Sequence, residues 1–305
     1  MSEVGAVPAA EAAAVAADEA ALLELPPVEP DRVQVLGPHP DQRLDWYEPQ
    51  QPLAAAPLVV LVHGGFWRAA YDRGHLSPFA RALAGEGMRV ALPEFRRVGS
   101  GGGWPVTLED VTAAVSACAE VATGPVLLLG HSAGGHLVLS GAGRGLPVHH
   151  VVAVAPVADL VAAHESALSD GAVAAFCGPG PGLEDRIAEA DPIGHPPRGL
   201  PVTLLHGTAD AVVPVAFSRR YATAVGRPPA EAGQGTPAAR GAVAGAGGVR
   251  GGAPGPAAPG QAPGAGAPVA LLELPGVGHF APVTPGTPAC HQVTRVLRDA
   301  AAAAG

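Results

Sequence analysis

Short apolar runs alternate with amphipathic segments along most of this 305-residue chain. Residues 76–86, 108–121 and 289–303 carry apolar positions at helical spacing. Alternating strands and helices predict an α/β fold, with a mostly parallel central sheet covered by helices on both faces. The apolar runs that predict its buried strands are 57–62, 89–92, 125–129, 149–155, 202–206 and 269–274.

The N-terminal part of the chain departs from this alternation. Residues 32–36 and 42–47 alternate enough to predict an antiparallel strand pair at a sheet edge. Residues 1–30 have the composition of a weak Ala-rich helix followed by a Pro-rich linker. Because so few large apolar side chains occur there, this segment is predicted to be disordered, and the domain is predicted to span 31–305.

Two internal stretches also depart from the alternation of predicted strands and helices. Residues 157–200 contain short helical pieces with many Gly and Pro, which predicts a cap-like region over the strand ends. Residues 227–268 are almost wholly Ala, Gly and Pro. Such a segment cannot bury enough apolar surface to offset its ordering entropy, so it is predicted to be a disordered insertion. A mobile lid or a tether for a partner is the alternative.

The segment Gly130-His131-Ser132-Ala133-Gly134 joins an apolar run to a helix-compatible segment. This G-x-S-x-G pattern between strand and helix is typical of a nucleophile elbow. The glycines allow strand and helix to pack closely, and Ser132 is presented at a helix N-terminus. Ser132 is therefore the candidate nucleophile.

A serine nucleophile needs a base and an acid that orients the base. Asp210 follows the strand at 202–206, and His279 follows the strand at 269–274. The order Ser132, Asp210, His279 is the chain order that this type of site requires. Asp159 also follows a strand and is the reserve candidate for the acid.

Acyl transfer also needs N–H donors for the developing oxyanion. The backbone of Ala133 supplies one candidate, and Gly64 or Gly65, after the strand at 57–62, supplies the second. Phe66 and Trp67 either line a substrate pocket or pack the loop. His63 is expected to brace this loop by hydrogen bonding.

The remaining polar residues near these motifs are predicted to be structural. Asp191 is expected to be a turn or cap residue, and His206 a structural hydrogen-bonding group. Arg96 and Arg97 could bind a substrate carboxylate bidentately, but bracing of the loop is favoured. His131 and His136 flank Ser132 on the wrong sides for a general base.

Together, the segments HGGFW, GHSAGGHL, HGTAD and GVGHF resemble the α/β-hydrolase superfamily. The resemblance spans about residues 57–300 apart from the insertion. HGGFW resembles the oxyanion loop of the arylformamidase (kynurenine formamidase) group and its esterase relatives. This resemblance implies hydrolysis of N-formylkynurenine to kynurenine and formate without a metal. Phe66 stands where the lipase-like pattern has a third glycine, which argues against that branch.

Two other functions remain open. A carboxylesterase for small carboxylic esters needs the same groups as an arylformamidase. A hydrolase fold kept as a non-catalytic binding module is the second alternative, although such a module has no need of all three residues of the triad.

Composition narrows the class of ligand and partner. The net charge of −9 argues against nucleic-acid binding. The spacing of Cys118, Cys177 and Cys290 fits neither a disulfide framework nor a metal site, and no metal motif is present. The acidic N-terminus does not resemble a signal peptide, and no apolar run reaches the length of a membrane span. A cytoplasmic protein with a small-molecule substrate, no cofactor and no membrane association is therefore expected; its oligomeric state is left open.

Overall fold

The computed structural model describes residues 9–51, 54–226 and 268–305, with side chains described from residue 13 onward. An eight-stranded sheet runs through this part of the chain in the order β1-β2-β4-β3-β5-β6-β7-β8. The first two strands pair antiparallel with each other, and β2 pairs antiparallel with β4. The other neighbours are parallel. The strands are β1 (Arg32–Val35), β2 (Arg43–Tyr47), β3 (Leu58–Val62), β4 (Arg89–Glu94), β5 (Val126–His131), β6 (His150–Val154), β7 (Val202–Gly207) and β8 (Val269–Leu274).

Nine α-helices accompany the sheet within the described ranges, and short 3-10 helices lie at Arg73–Leu76 and Ala281–Val283. Thr287 caps the last α-helix by accepting a hydrogen bond from the Cys290 amide at 3.0 Å. The α-helices are α1 (Ala9–Leu23), α2 (Ser77–Gly85), α3 (Val106–Glu120), α4 (Ala133–Ala142), α5 (Leu160–Glu165), α6 (Leu168–Cys177), α7 (Leu183–Ala190), α8 (Val215–Val225) and α9 (Pro288–Ala304).

The central strands are largely apolar because both faces of the sheet are covered. All five residues of β3 are buried. Leu58, Val60 and Val62 pack on the face covered by α3, α4 and α8, whereas Val59 and Leu61 pack on the face covered by α2 and α9. Removing this apolar area from water is the main driving force for the layered arrangement.

The predicted fold class is confirmed, including the antiparallel edge pair. Two strands extend past their apolar runs: β4 continues to Glu94 and β5 to His131. Both added side chains are buried, because each has hydrogen-bonding partners that only the folded chain supplies.

The structure corrects the prediction of disorder for the part of residues 1–30 that it describes, which begins at residue 9. Helix α1 covers 15 residues of that segment, and Leu22 is fully buried. The Asp18 carboxylate accepts hydrogen bonds from the backbone amides of Phe280 and Ala281, at 2.8 and 2.9 Å. The helix is therefore attached to the loop that follows β8, a contact that local composition does not reveal.

The region predicted to be cap-like, residues 157–200, contains α5, α6 and α7. These helices pack on one another and add Val173, Phe176 and Ile187 to the core on the α3 and α4 side. The predicted insertion, 227–268, lies outside the described residues except for Pro268, which accepts a hydrogen bond from the Val202 amide.

Candidate active site

Ser132 lies between β5 and α4 in a backbone conformation that side chains rarely adopt, with φ 57° and ψ −119°. Glycines around it let the two elements approach. A Cβ at Gly130 would overlap the carbonyl of Gly134, and one at Gly134 would overlap the carbonyl of Val62. The strain at Ser132 is held by the surrounding packing and by its amide, which donates to the Val154 carbonyl at 2.9 Å.

Asp210 and His279 form a buried hydrogen-bonded pair. The Nδ1 atom of His279 lies 2.7 Å from Oδ2 of Asp210, and both side chains are almost fully buried. Because an ionised carboxylate only accepts, Nδ1 carries the proton and Nε2 keeps its lone pair. The arrangement fixes the tautomer that a general base needs.

The Asp210 carboxylate is held in its ionised form. Burial opposes ionisation, but the charge of His279 and hydrogen bonds from His206, His279 and the Val213 amide keep the pKa of Asp210 well below its usual range. The amides of Val212 and Val213 donate to Oδ1 at 2.9 and 2.8 Å. Asp210 thus remains an anion fixed in position.

Ser132 and His279 line one cavity of about 180 Å³ at the carboxyl end of the parallel strands. Among the described residues, no group meets hydrogen-bonding distance and angle to the Ser132 hydroxyl. Such bonds are often long before substrate binds and shorten in the complex. A larger cavity of about 700 Å³ touches Asp210 and His279 from the other side, but Ser132 does not line it. The smaller cavity is therefore the one in which this serine can react.

Two backbone amides beside Ser132 are available as donors. Within the described ranges, neither the Gly65 nor the Ala133 amide makes a backbone hydrogen bond. Gly65 lines the cavity with φ 103°, and a Cβ there would overlap Tyr71. Gly64 is also needed as glycine, since its Cβ would lie 2.9 Å from the Ser132 Cβ. The loop after β3 thus brings peptide N–H groups next to the serine.

A buried ionic network braces this loop from below. His63 lies 2.8 Å from the Gly64 carbonyl through Nδ1 and 3.0 Å from Glu94 through Nε2. Glu94 also pairs with Arg97 at 3.2 Å and with Arg73 at 3.4 Å. Burial opposes ionisation of Glu94, but the charge and hydrogen bond of His63 and the charge of Arg97 lower its pKa to about 2. The bracing role expected of His63 agrees with these contacts.

Phe66 and Trp67, for which the sequence left a substrate pocket and packing of the loop as alternatives, lie in different surroundings. Phe66 lines the cavity with Ser132. Trp67 is only 1% exposed, and its ring stacks on Phe176 with centroids 4.6 Å apart. Both residues have positive φ, 50° and 56°, and this turn of the backbone directs the indole into the core.

The two arginines considered as partners for a substrate carboxylate are already paired with acidic residues of the chain. Arg96 donates bidentately to Asp110 at 2.8 and 2.7 Å. Arg97 pairs with Glu94 and with Asp41, each at 3.2 Å, and donates to the Tyr71 carbonyl. Neither lines the cavity. Their contacts agree with the favoured bracing role.

Asp159 and Asp191, the other acidic residues considered beside Asp210, form hydrogen bonds or ion pairs with structural partners. Asp159 caps α5 by accepting from the Ala162 amide at 2.8 Å and pairs with Arg220 at 2.5 Å. Asp191 accepts from the Ile193 amide at 3.0 Å, and burial raises its pKa. Neither contacts His279, so Asp210 is the acid that the fold places beside the imidazole.

Three other histidines near the site make hydrogen bonds that hold the structure together. His206 lies 2.8 Å from Ser218 and 2.9 Å from the Val213 carbonyl, and its Nε2 is 3.3 Å from Asp210. The ring of His131 packs 4.7 Å from that of His279 and bonds to the His279 carbonyl at 3.1 Å. His136 bonds to the Ala190 carbonyl.

Sequence reasoning missed several residues that line the cavity. The contribution of α1 to the cavity could not be predicted, because the sequence of this helix has no strong apolar stripe. His75 lies in a short 3-10 helix without a recognisable motif. His75 carries its proton on Nδ1, which donates to the Asp72 carbonyl at 2.5 Å. Burial and the charge of His63 lower the pKa of His75 to about 4, so its ring is neutral at pH 7. The missed residues are Glu19, Leu23, Tyr71, His75, Val212 and Phe280.

Neither a metal site nor a membrane span is found in the described part of the chain. No group of three or more His, Cys, Asp or Glu residues there is arranged to hold a metal ion. No helix in the same ranges is long and apolar enough to cross a membrane.

The family model BD-FAE matches residues 44–225, which is more than half of the chain. The chain belongs to the BD-FAE family. The matched region of this BD-FAE protein includes Ser132, Asp210 and the loop after β3, while His279 lies beyond it. No curated protein matches the sequence.

Solved structures with the same architecture are esterases by name. Esterase B from Lactobacillus rhamnosis is 19% identical, with a TM-score of 0.67, over 96% of this chain and 92% of that one. Esterase 2 from Thermogutta terrifontis is 20% identical, with a TM-score of 0.58, over 90% and 92%. A carbohydrate esterase from gut microbiota is 18% identical, with a TM-score of 0.65, over 91% and 100%. At these identities, the likeness establishes the α/β-hydrolase fold.

Proposed function

We propose that this protein is a serine carboxylesterase that hydrolyses small carboxylic esters through an acyl-enzyme. The observation that carries the proposal is the buried Asp210–His279 pair, whose histidine lines one cavity with Ser132, next to the available peptide N–H group of Gly65. These groups supply the nucleophile, the oriented base and the oxyanion donors that acyl transfer needs.

In the first half of the reaction, the Ser132 hydroxyl attacks the ester carbonyl and His279 Nε2 takes its proton. The amides of Ala133 and Gly65 stabilise the oxyanion, and Gly64 allows the loop to approach. Asp210 stabilises the imidazolium that forms. When the tetrahedral intermediate collapses, His279 gives the proton to the departing alcohol, and the acyl group stays on Ser132.

The second half repeats these steps with water. His279 removes a proton from a water molecule, which attacks the acyl-enzyme carbonyl. The same amides hold the second oxyanion. Collapse returns the proton to Ser132 and releases the carboxylic acid, so no cofactor is consumed.

Two features of the cavity favour small esters over N-formylkynurenine. The volume of about 180 Å³ suits a short acyl or alcohol group. N-formylkynurenine carries a carboxylate, yet no arginine of the described ranges lines the cavity, and both Arg96 and Arg97 are engaged by acids. Without a partner, burying that carboxylate is costly.

The test compares p-nitrophenyl acetate with N-formylkynurenine, using wild type, Ser132→Ala and the control Ser166→Ala, which alters an exposed serine on the cap-like region. We expect ester hydrolysis by wild type and by the control, and its loss in Ser132→Ala. A kcat/KM that strongly favours the formamide would instead assign arylformamidase activity. Ester hydrolysis that survives in Ser132→Ala would refute the mechanism.

A further inference from the structure

Glu19 is the one carboxylate among the described residues that line the cavity with Ser132. None of the arginines that the structure describes lines this cavity, and the chain contains no lysine. His75 is neutral at pH 7, and burial lowers the pKa of His131 well below its usual value. The wall of the cavity therefore has a negative group with no opposing cation.

The position of Glu19 is fixed by its neighbours on α1. Asp18 is bonded to the amides of Phe280 and Ala281, directly after His279, and Leu22 is fully buried. These two anchors flank Glu19 and hold the helix against the cavity. Within the described ranges, the Glu19 carboxylate makes neither a hydrogen bond nor an ion pair. The carboxylate is thus available to a ligand.

Aromatic rings line the same cavity. Phe66, Tyr71 and Phe280 are among its lining residues, and the neutral ring of His75 joins them. Aromatic faces attract ammonium groups, and quaternary ammonium ions are recognised by such groups of rings. A carboxylate beside them adds the attraction of a full negative charge.

We propose that Glu19 is a specificity-determining residue that selects esters carrying an ammonium group. The proposal rests on the proposed esterase function and defines its substrate class. Glu19 takes no part in bond making or breaking; it stabilises the bound cation through space. Because the carboxylate is partly exposed, its effect is limited to about threefold to tenfold in kcat/KM.

The first test uses two esters of the same shape, acetylcholine and 3,3-dimethylbutyl acetate, which differ in having nitrogen or carbon at the branched centre. We expect the full-length protein to favour the cationic ester by about threefold to tenfold. Glu19→Gln should remove most of that preference, because the KM for acetylcholine rises more than the KM for the neutral ester. Glu24→Gln, an exposed residue of the same segment that does not line the cavity, is the matched control.

A second pair places the cation on the acyl side: betaine ethyl ester and ethyl 3,3-dimethylbutanoate. If Glu19→Gln lowers the preference for the cationic ester in only one of the two pairs, that pair shows whether the alcohol or the acyl side of the ester lies beside α1. Unchanged ratios for both pairs overturn the proposal. If Ser132-dependent hydrolysis of all four esters is absent, the proposed function fails and this inference with it, whereas equal hydrolysis of charged and neutral esters refutes the inference alone.

Discussion

The Asp210 carboxylate shows how much of this site depends on single residues. It accepts hydrogen bonds from His279 and from two backbone amides, and Nε2 of His206 lies 3.3 Å away, in a place that water barely reaches. Such an acceptor cannot rotate without losing several bonds. His279 is therefore held in one orientation before substrate arrives, which is the preorganisation that acyl transfer requires.

Asp210→Asn should lower kcat for ester hydrolysis by about 10³-fold to 10⁴-fold with a retained fold, since an amide stabilises the wrong imidazole tautomer. Steady-state kinetics and circular dichroism measure the two effects. Asp159→Asn is the control, because Asp159 caps α5 and does not contact His279. A larger loss of kcat in Asp159→Asn than in Asp210→Asn would assign the acid role to Asp159.

Glu94 links the stability of the molecule to pH. Its pKa is about 2 in the folded protein and 4.5 ordinarily, so its contribution is present above about pH 4.5 and is lost as pH falls towards 2. At neutral pH, the shift corresponds to at most about 3 kcal/mol. Glu94→Gln should therefore be less stable than wild type at pH 7.

The difference between wild type and Glu94→Gln should shrink as pH falls from 4.5. Urea denaturation at pH 7, 4.5 and 3.5 measures it. Glu48→Gln, which alters a more exposed carboxylate paired with Arg89, serves as the control and should have a smaller effect. A constant difference for Glu94→Gln over this pH range would contradict the assigned pKa.

At the scale of elements, helix α1 is attached through few but specific contacts. Leu22→Ala should lower the free energy of unfolding by about 2–4 kcal/mol, because the side chain is fully buried. Leu23 is 42% exposed and lines the cavity, so Leu23→Ala should change stability much less. Thermal or urea denaturation distinguishes the two, and equal losses would show that α1 does not pack as described.

The strands and the elbow were predictable because their signals are local. Burial on both faces makes β3 and the run 126–129 of β5 apolar, and close packing requires Gly130 and Gly134. Helix α1 was not predictable in the same way. Its anchors are the amides after His279, more than 260 residues along the chain, and no periodic pattern encodes them.

The cavity was only partly predictable for a similar reason. Phe66 adjoins a recognisable motif, but Glu19 and His75 reach the cavity through tertiary contacts. Trp67 shares the motif with Phe66, yet the positive φ values of both residues turn the indole inward. The sequence pattern shows that these two side chains are adjacent, but it does not show in which direction a strained turn orients each of them.

For the molecule as a whole, the long segment between α8 and β8 joins two points that lie close together. A Cβ on Gly226 would lie 3.8 Å from that of Val269. A short connection is therefore enough to link the two elements, and the cost of closing a loop grows slowly with its length.

Deleting residues 228–266 should leave folding and ester hydrolysis nearly intact, because Arg227 and Ala267 then bridge the short gap. Activity and thermal denaturation of the shortened protein check this, with wild type as the reference. A large loss of kcat/KM would assign the segment a part in substrate binding, as in the alternative of a mobile lid.

The bond between Asp18 and the Phe280 amide joins residues 262 positions apart, with a consequence for biosynthesis. At about 5–20 residues per second, a ribosome needs roughly 13–50 seconds to make the intervening chain. Until residues 279–281 are made, Asp18 lacks the two amides that it binds, and Ser132 is without its base. Interrupted translation products that end before His279 are thus expected to be inert, because they lack the base that Ser132 needs.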